Sequence, residues 1–124
     1  MDDGLQASQT APVAHRHPPE FRALSLCTVE DVWKQWREGL GGNPPVEELE
    51  RDWGDRWRSD ARMRRWFLRR KVIWDRLREM ITAGHTAGDA VRQLEELRKT
   101  NLKGTSLNQL VKLLQRQKKA QGQP

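Results

Sequence analysis

Arginine side chains are concentrated in one segment of this 124-residue chain. Residues 56–82 contain ten basic and three acidic residues, whereas residues 28–55 contain three basic and eight acidic ones. The guanidinium group is a planar fork that donates parallel hydrogen bonds to phosphate or to the major-groove edge of guanine. Positive charge gathered in one segment indicates a polyanionic partner, and we predict that the partner is double-stranded DNA.

The candidate DNA contacts fall into two groups by expected role. Contacts to base edges in the major groove are assigned to Arg64, Arg65, Arg69, Arg70 and Lys71. Contacts to phosphates are assigned to Arg56, Arg58, Arg62 and Arg76. A solvated helix that uses arginine for solubility is the plainer interpretation, but the clustering of charge in one helix favours DNA.

Other chemistry finds little support in the residue types and their spacing. His15, His17, His85 and Cys27 fit no closed zinc site, and a single cysteine permits no internal disulfide. The sequence shows no catalytic arrangement of serine, histidine and an acidic residue. It also shows no glycine-rich phosphate-binding loop after a strand. We therefore predict no enzyme, no catalytic residues, no metal, no cofactor and no small-molecule substrate. The absence of a signal-peptide pattern or a membrane-length apolar run predicts an intracellular protein without membrane contact.

Hydrophobic residues recur at helical spacing along the chain, and no strand-like alternation is present. Thr28, Ser59 and Thr86 have the residue type and position of helix N-caps. Glycines at 39, 41 and 42 end the first helix, and prolines at 44 and 45 begin the second. Helices are predicted over 29–39, 45–53, 60–82, 87–99 and 106–118.

The third predicted helix separates apolar from basic residues. Its apolar face comprises Met63, Trp66, Phe67, Ile73, Trp74, Leu77, Met80 and Ile81. The candidate DNA contacts lie mostly around the opposite side, but Arg70 falls within the apolar sector. Arg70 is therefore expected to extend its charge to solvent, to pair with an acid of the first two helices, or to mark the edge of the core.

The predicted architecture is a small all-α domain of about five helices with a long basic third helix. A three-helix core that presents its third helix outward matches the helix-turn-helix plan. Trp33, Trp53 and Trp74 follow one another at about twenty-residue intervals, loosely as in Myb-type domains, although plain core aromatics explain each one singly. We predict a disordered leader over 1–20, a DNA-binding domain over 21–118, and a polar tail over 119–124, with Phe21, Leu24 and Leu26 packing as an extended arm.

Several runs of the sequence together resemble a known family. They are TVEDVWKQW at 28–36, GLGG at 39–42, PVEELE at 45–50, WGDRWR at 53–58 and WFLRRKVI at 66–73. Their ordered combination is similar to the C-terminal DNA-binding domain of the fungal transcriptional activator of glycolytic enzymes, and extends over about residues 21–114. The same domain type occurs in fungal osmotic-stress and filamentous-growth regulators. The resemblance implies sequence-specific binding to promoter DNA in the nucleus, transcription co-regulators as partners, and a DNA-reading segment over 66–72.

Two other functions remain open. The chain is alternatively a protein-interaction module that docks an acidic partner or self-associates through its last two helices. It is also similar to fungal transposon-derived tyrosine recombinase proteins, of which it would be an accessory DNA-binding domain, since it contains no tyrosine. Loss of duplex binding on removal of two of the exposed arginines would separate the DNA-binding hypotheses from the protein-docking one.

Overall fold

A computed structural model describes residues 17–101 and 106–122. It contains α1 (Val29–Arg37), α2 (Val46–Trp53), a 3-10 turn (Gly54–Arg58), α3 (Ala61–Thr82), α4 (Ala87–Asn101) and α5 (Leu107–Gly122). These residues include no strand, so the predicted all-α class with about five helices is confirmed. Most of the predicted leader, residues 1–16, lies outside the described residues. Residues 54–60 separate α2 from α3, and the helix-turn-helix detail remains a prediction.

Short polar side chains begin most of the helices where the sequence predicts them. The Thr28 hydroxyl accepts a hydrogen bond from the Asp31 amide at 3.1 Å, and the Thr86 hydroxyl accepts one from the Asp89 amide at 3.0 Å. Each hydroxyl satisfies an amide that has no partner within its own helix. The first helix and the fourth therefore begin at the predicted residues.

The N-cap of α3 differs from the prediction, which assigned it to Ser59. Asp60 has the extended backbone of an N-cap, and its carboxylate accepts a hydrogen bond from the Arg62 amide at 2.8 Å. Ser59 is still in the right-handed helical conformation, because it closes the 3-10 turn. A carboxylate is also favoured at the positive end of a helix dipole, so Asp60 is the better cap for the longest helix.

The last two helices run further than the prediction. α4 continues to Asn101, and α5 continues to Gly122 instead of ending at residue 118. Residues 119–122, which the sequence assigns to a polar tail, are therefore helical. Lysine, glutamine and alanine fill this end of α5, and all three are good helix formers that need no buried face.

α3 is the central helix of the domain and packs against α1, α4, α5 and the 3-10 turn. Trp74, near its middle, is completely buried, and its indole N–H donates a hydrogen bond to the Val32 carbonyl of α1 at 2.8 Å. The ring centroids of Trp36, Trp66 and Phe67 lie 5.2, 6.2 and 5.7 Å from that of Trp74. These contacts give a small domain a large share of its apolar burial.

The segment before α1 packs along the domain as an arm. The Phe21 ring lies 5.0 Å from the Trp57 ring and 5.2 Å from the Trp66 ring, and Leu26 also contacts the core. The packing predicted for these two arm residues is confirmed. The arm joins the 3-10 turn to α3 because it places an aromatic ring between them.

Asn43, in the loop between α1 and α2, holds the arm by two hydrogen bonds. Its Oδ1 accepts from the Arg22 amide at 3.0 Å, and its Nδ2 donates to the Arg22 carbonyl at 2.8 Å. The loop turns sharply at Gly39, where φ is +88° and a Cβ atom would lie 2.3 Å from the Asn43 carbonyl oxygen. Gly39 therefore has both a left-handed backbone and no space for a side chain.

We expect Gly39→Ala to lower the free energy of unfolding by about 2 kcal/mol or more, because it combines backbone strain with a backbone clash. Gly88→Ala is the matched control, since Gly88 lies in α4 and a Cβ there would meet nothing within 4 Å. We expect Gly88→Ala to stabilise the protein by about 0.5 kcal/mol through helix propensity. Urea denaturation measures both, and equal effects of the two substitutions would contradict this account of the loop.

Glu95 of α4 holds the N-terminus of α1. Its carboxylate accepts a hydrogen bond from the Val29 amide at 3.0 Å and pairs with the nearly buried Arg98 guanidinium. The hydrogen bond from Arg98, opposed by partial burial and helped by the Val29 amide, lowers the pKa of Glu95. α1 and α4 are therefore joined by a carboxylate that must be ionised to make its full contacts.

A lowered pKa in the folded state means that the Glu95 contribution to stability is lost as pH falls through that lowered value. We expect Glu95→Gln to reduce the free energy of unfolding by about 1–2 kcal/mol at neutral pH. The difference from the native protein should shrink under acidic conditions. The exposed neighbour Glu96→Gln serves as control and should change little. Chemical denaturation over a pH series measures the effect, and a difference that stays constant in acid would exclude this role.

Candidate nucleic-acid interface

The buried and exposed sides of α3 follow helical periodicity closely. Trp66, Phe67, Ile73, Trp74, Leu77 and Met80 form its buried side. On the exposed side, three arginines at i, i+3 and i+7 form one line, which we call the arginine stripe: Arg62, Arg65 and Arg69. A second line on the other flank contains Arg64 and Lys71. The core therefore orients α3 so that most of its basic residues point to solvent.

The arginine stripe has no neutralising partner in the described part of the chain. All three side chains are exposed, and none makes a hydrogen bond or ion pair within residues 17–101 and 106–122. Like charges within two helical turns repel one another. A polyanion that approaches the stripe relieves this repulsion, so its binding is electrostatically favourable. The stripe spans about 10 Å along the helix axis at about 1.5 Å per residue.

The acidic residues that pair with basic residues of α3 lie in the second half of that helix. Lys71 Nζ lies 2.7 Å from Asp75 Oδ2, and Arg76 Nη1 lies 3.4 Å from Glu79 Oε1. Arg78 also pairs with Asp75. Exposed pairs of this kind contribute at most about 1 kcal/mol and exchange readily for a phosphate. The uncompensated charge of α3 is therefore in its first half.

Arg58 is engaged in the structure of the domain. Its Nε and Nη2 atoms donate to the two Glu50 carboxylate oxygens at 2.8 and 3.2 Å, and its guanidinium carbon lies 3.9 Å from the Phe67 ring centroid. The Trp57 indole donates to the same carboxylate at 2.7 Å. Arg58 thus joins α2, the 3-10 turn and α3, and we reassign it from phosphate contact to support of the fold.

Two further candidates lie close to the entry of α3. Arg64 is exposed, and its Nη1 donates to the Ser59 carbonyl at 3.0 Å, which links the first turn of α3 to the preceding segment. Arg56 is also exposed, and its guanidinium lies 5.2 Å from the Trp53 ring centroid. Stacking on a ring orders a guanidinium without removing its charge. Both residues are therefore placed at the same end of α3 as the arginine stripe.

Arg70, which the sequence places within the apolar sector of α3, is buried in the structure. It is only 7% exposed, its Nη2 donates to the Leu24 carbonyl at 3.3 Å, and its guanidinium lies 5.8 Å from the Trp66 ring. Burial, with a smaller effect of the Arg69 charge, lowers the pKa of Arg70 to about 10. Arg70 forms no ion pair with an acidic residue in the described part of the chain. Arg70 is directed inward against the arm, so we no longer propose it as a base contact.

Leu68 and the neighbouring helix α5 are not among the site residues predicted from the sequence. Leu68 is 59% exposed and lies between the two basic lines of α3. Together with Val72 of α3 and Leu114 of α5 it lines a groove between the two helices, where Lys118 adds a further positive charge. Leu68 was detectable, because it is an apolar residue in the polar sector of the predicted helix. The position of α5 beside α3 had no sequence signal.

Metal sites and membrane spans were considered within the ranges that the structure describes. Those ranges contain no group of three or more histidine, cysteine, aspartate or glutamate residues that could hold a metal ion. None of their helices is both long and apolar enough to cross a membrane.

We expect Arg70→Met to leave the free energy of unfolding unchanged or to raise it by up to about 2 kcal/mol, because it removes a desolvated charge that no acid pairs with. The exposed neighbour Arg69→Met is the control and should change stability by less than about 0.5 kcal/mol. Urea denaturation measures both.

The pH dependence of the Arg70→Met effect provides a second readout. The folded protein releases the Arg70 proton near pH 10, whereas the unfolded chain retains it to higher pH. Stability of the native protein therefore rises with pH above that value, and its difference from Arg70→Met should shrink. A loss of more than 2 kcal/mol in the variant would mean that the contacts of Arg70 outweigh its desolvation.

Comparison with known proteins identifies relatives in yeasts. Protein MSN1 of Saccharomyces cerevisiae is 32% identical over 74 residues, which are 60% of this chain and 19% of that protein. High-osmolarity-induced transcription protein 1 of Kluyveromyces lactis is 25% identical over 81 residues, which are 64% of this chain and 12% of that protein. The chain thus spans less than a fifth of the length of these relatives. No solved structure matches it.

A family model described as the transcriptional activator of glycolytic enzymes matches residues 23–98, which include α1, α2, α3 and most of α4. The match extends over more than half of the chain and includes the whole basic surface of α3. The resemblance inferred from the sequence runs is confirmed. The chain belongs to the family of the transcriptional activator of glycolytic enzymes.

Proposed function

We propose that this chain is a double-stranded DNA-binding domain of a transcription regulator, and that it binds specific sequences by inserting the first half of α3 into the major groove. The observation that carries the proposal is the arginine stripe of Arg62, Arg65 and Arg69. These side chains are exposed and have no neutralising partner in the described residues, on a helix whose other side is fixed in the core.

The dimensions of α3 suit this role. The major groove of B-DNA is about 12 Å wide and admits an α-helix. The arginine stripe spans about 10 Å, which corresponds to about three base-pair steps at 3.4 Å each. Its side chains can therefore contact several consecutive base pairs or the phosphates beside them.

Charge along α3 indicates which part of the helix approaches the DNA. Asp75 and Glu79 lie in the second half, where they would be repelled by phosphates. In the first half, we assign base contacts to Arg64, Arg65, Arg69 and Lys71 and phosphate contacts to Arg56 and Arg62. Arg76 is assigned to a phosphate at the edge of the site. Arg58 is omitted because Glu50 holds its guanidinium, and Arg70 is omitted because it is buried against the arm.

Family membership supports a proposal for the cellular role, location and partners of the chain. A relative named as a transcription protein and a family named for a transcriptional activator support a regulatory role in transcription rather than catalysis. We accordingly propose a nuclear location, promoter DNA as the ligand and transcription co-regulators as partners. We assign DNA binding to residues 21–118, which include the arm, the first four helices and α5 as far as residue 118.

A protein-docking module is the second candidate, and the groove between α3 and α5 favours it. The groove is lined by Leu68, Val72 and Leu114 and is bordered by charges of both signs. An acidic protein partner would also be attracted by the arginine stripe. Experiments must therefore separate loss of DNA binding from loss of positive charge in general.

We expect Arg65→Ala/Arg69→Ala to lower affinity for a specific duplex by about 100-fold or more, since each bidentate base contact contributes about 1–3 kcal/mol. A duplex selected from a random library supplies the ligand, and fluorescence anisotropy measures the binding. Arg37→Ala/Arg51→Ala is the matched control, because it removes the same charge from exposed sites on α1 and α2. The control should retain most of the affinity.

Salt dependence provides an independent check of the same proposal. If about six phosphates are neutralised, the logarithm of affinity falls with the logarithm of salt concentration at a slope near −5. An affinity that does not change with salt, equal losses in the two double variants, or no binding of any duplex at low salt would exclude DNA binding by α3. Circular dichroism and urea midpoints establish that each variant is folded.

A further inference from the structure

Leu68 is the one large hydrophobic side chain that is exposed in the parts of the chain described, at 59% of its surface. A single exposed leucine is ordinary on a protein surface, but the position of this one is not. It lies on the midline of the exposed side of α3, with Arg64 and Lys71 on one flank and Arg65 and Arg69 on the other. Leu68 is thus an apolar residue with two basic residues on each flank of α3, at the edge of the groove to α5.

The core does not account for Leu68. Val72, one turn further along, is half-buried and packs against the core, whereas Leu68 does not. A polar residue would serve a solvated helix equally well at this position. In the arrangement proposed above, the midline of the exposed side is the part of α3 that lies deepest in the major groove, where side chains meet base edges and not phosphates.

The major groove presents one apolar group, the C5-methyl of thymine, among its hydrogen-bond donors and acceptors. A leucine has no donor or acceptor, so the methyl group is the base-edge feature that it can recognise. We infer that Leu68 is a specificity-determining residue that contacts the C5-methyl group of a thymine, while the arginines beside it contact neighbouring bases. This inference rests on the proposed function.

Docking of a protein in the groove between α3 and α5 is the rival explanation of Leu68. The groove continues from Leu68 towards Asp75 and Glu79, where the charges are mixed. Of the four residues that lie one turn from Leu68 on α3, however, three are basic and only Val72 is apolar, although Lys71 pairs with Asp75. Surroundings of this charge favour a polyanion over a protein surface, so the observations favour DNA as the occupant.

Removal of single methyl groups from the DNA tests the inference directly. Each thymine of a selected duplex is replaced in turn by deoxyuridine, which deletes the C5-methyl and leaves base pairing intact. We expect the native protein to lose about 4-fold in affinity at one thymine position, as follows from about 0.8 kcal/mol for one buried apolar carbon. At the other positions the replacement should have little effect.

Two variants complete the test. Leu68→Ala should bind the thymine duplex several-fold less tightly and should no longer distinguish thymine from deoxyuridine at the sensitive position. Arg65→Ala, the control, should weaken binding to both duplexes by the same factor and keep the distinction. The exposure of Leu68 means that its substitution leaves the core intact, which the urea midpoint verifies.

The outcomes separate this inference from the proposed function. Sensitivity to the methyl group that disappears in Leu68→Ala supports the inference. The inference is overturned, while DNA binding stands, if the native protein binds every deoxyuridine duplex with equal affinity. It is also overturned if Leu68→Ala keeps the methyl sensitivity. In either case, protein docking in the groove between α3 and α5 becomes the explanation of Leu68. Failure of the native protein to bind any duplex overturns both.

Discussion

The hydrogen bond from the Trp74 indole to the Val32 carbonyl connects α1 to the middle of α3, and the rest of the domain is arranged around that contact. A buried indole N–H without an acceptor would be costly, so the bond selects one rotation of α3 against α1. Trp36, Trp66 and Phe67 then pack around the same ring. The rotation of α3 about its axis determines which arginines face solvent, so this one contact indirectly sets the basic surface.

Adjacent residues on α3 illustrate how strongly that rotation acts. Arg69 is exposed and belongs to the arginine stripe, whereas Arg70 is buried against the Leu24 carbonyl. Successive residues in a helix point about 100° apart, and the boundary of the core passes between these two. Two side chains of identical chemistry therefore have different roles, one as candidate ligand contact and the other as a buried cation that lies between α3 and the arm.

Acidic and basic residues occupy different segments of the domain, and Glu50 links the two by hydrogen bonds. Glu50 of α2 accepts hydrogen bonds from both Arg58 and the Trp57 indole, so part of the acidic charge of α2 supports the turn that leads into α3. The acids of α1 and α2 do not reach the arginine stripe within the described residues. The unpaired basic charge in the first half of α3 is therefore separate from the acidic charge of α1 and α2, which favours an oriented approach of a charged ligand.

Local interactions were readable from the sequence, and contacts between distant segments were not. The caps Thr28 and Thr86, the all-α class and the amphipathic pattern of α3 depend on residues three or four positions apart, so composition and spacing predict them. Burial of Arg70 was recognisable as a conflict in that pattern. Its acceptor was not, because Leu24 lies 46 positions away and meets α3 only through the path of the arm.

The same distinction holds for the candidate site. The sequence alone determined that a helix with one basic side would form and that residues 56–82 would carry the positive charge. Tertiary structure decided that Arg58 would be held by Glu50 and that α5 would lie beside Val72 of α3. Helical periodicity arises from neighbouring residues, whereas partners for buried polar groups depend on how the whole chain is packed.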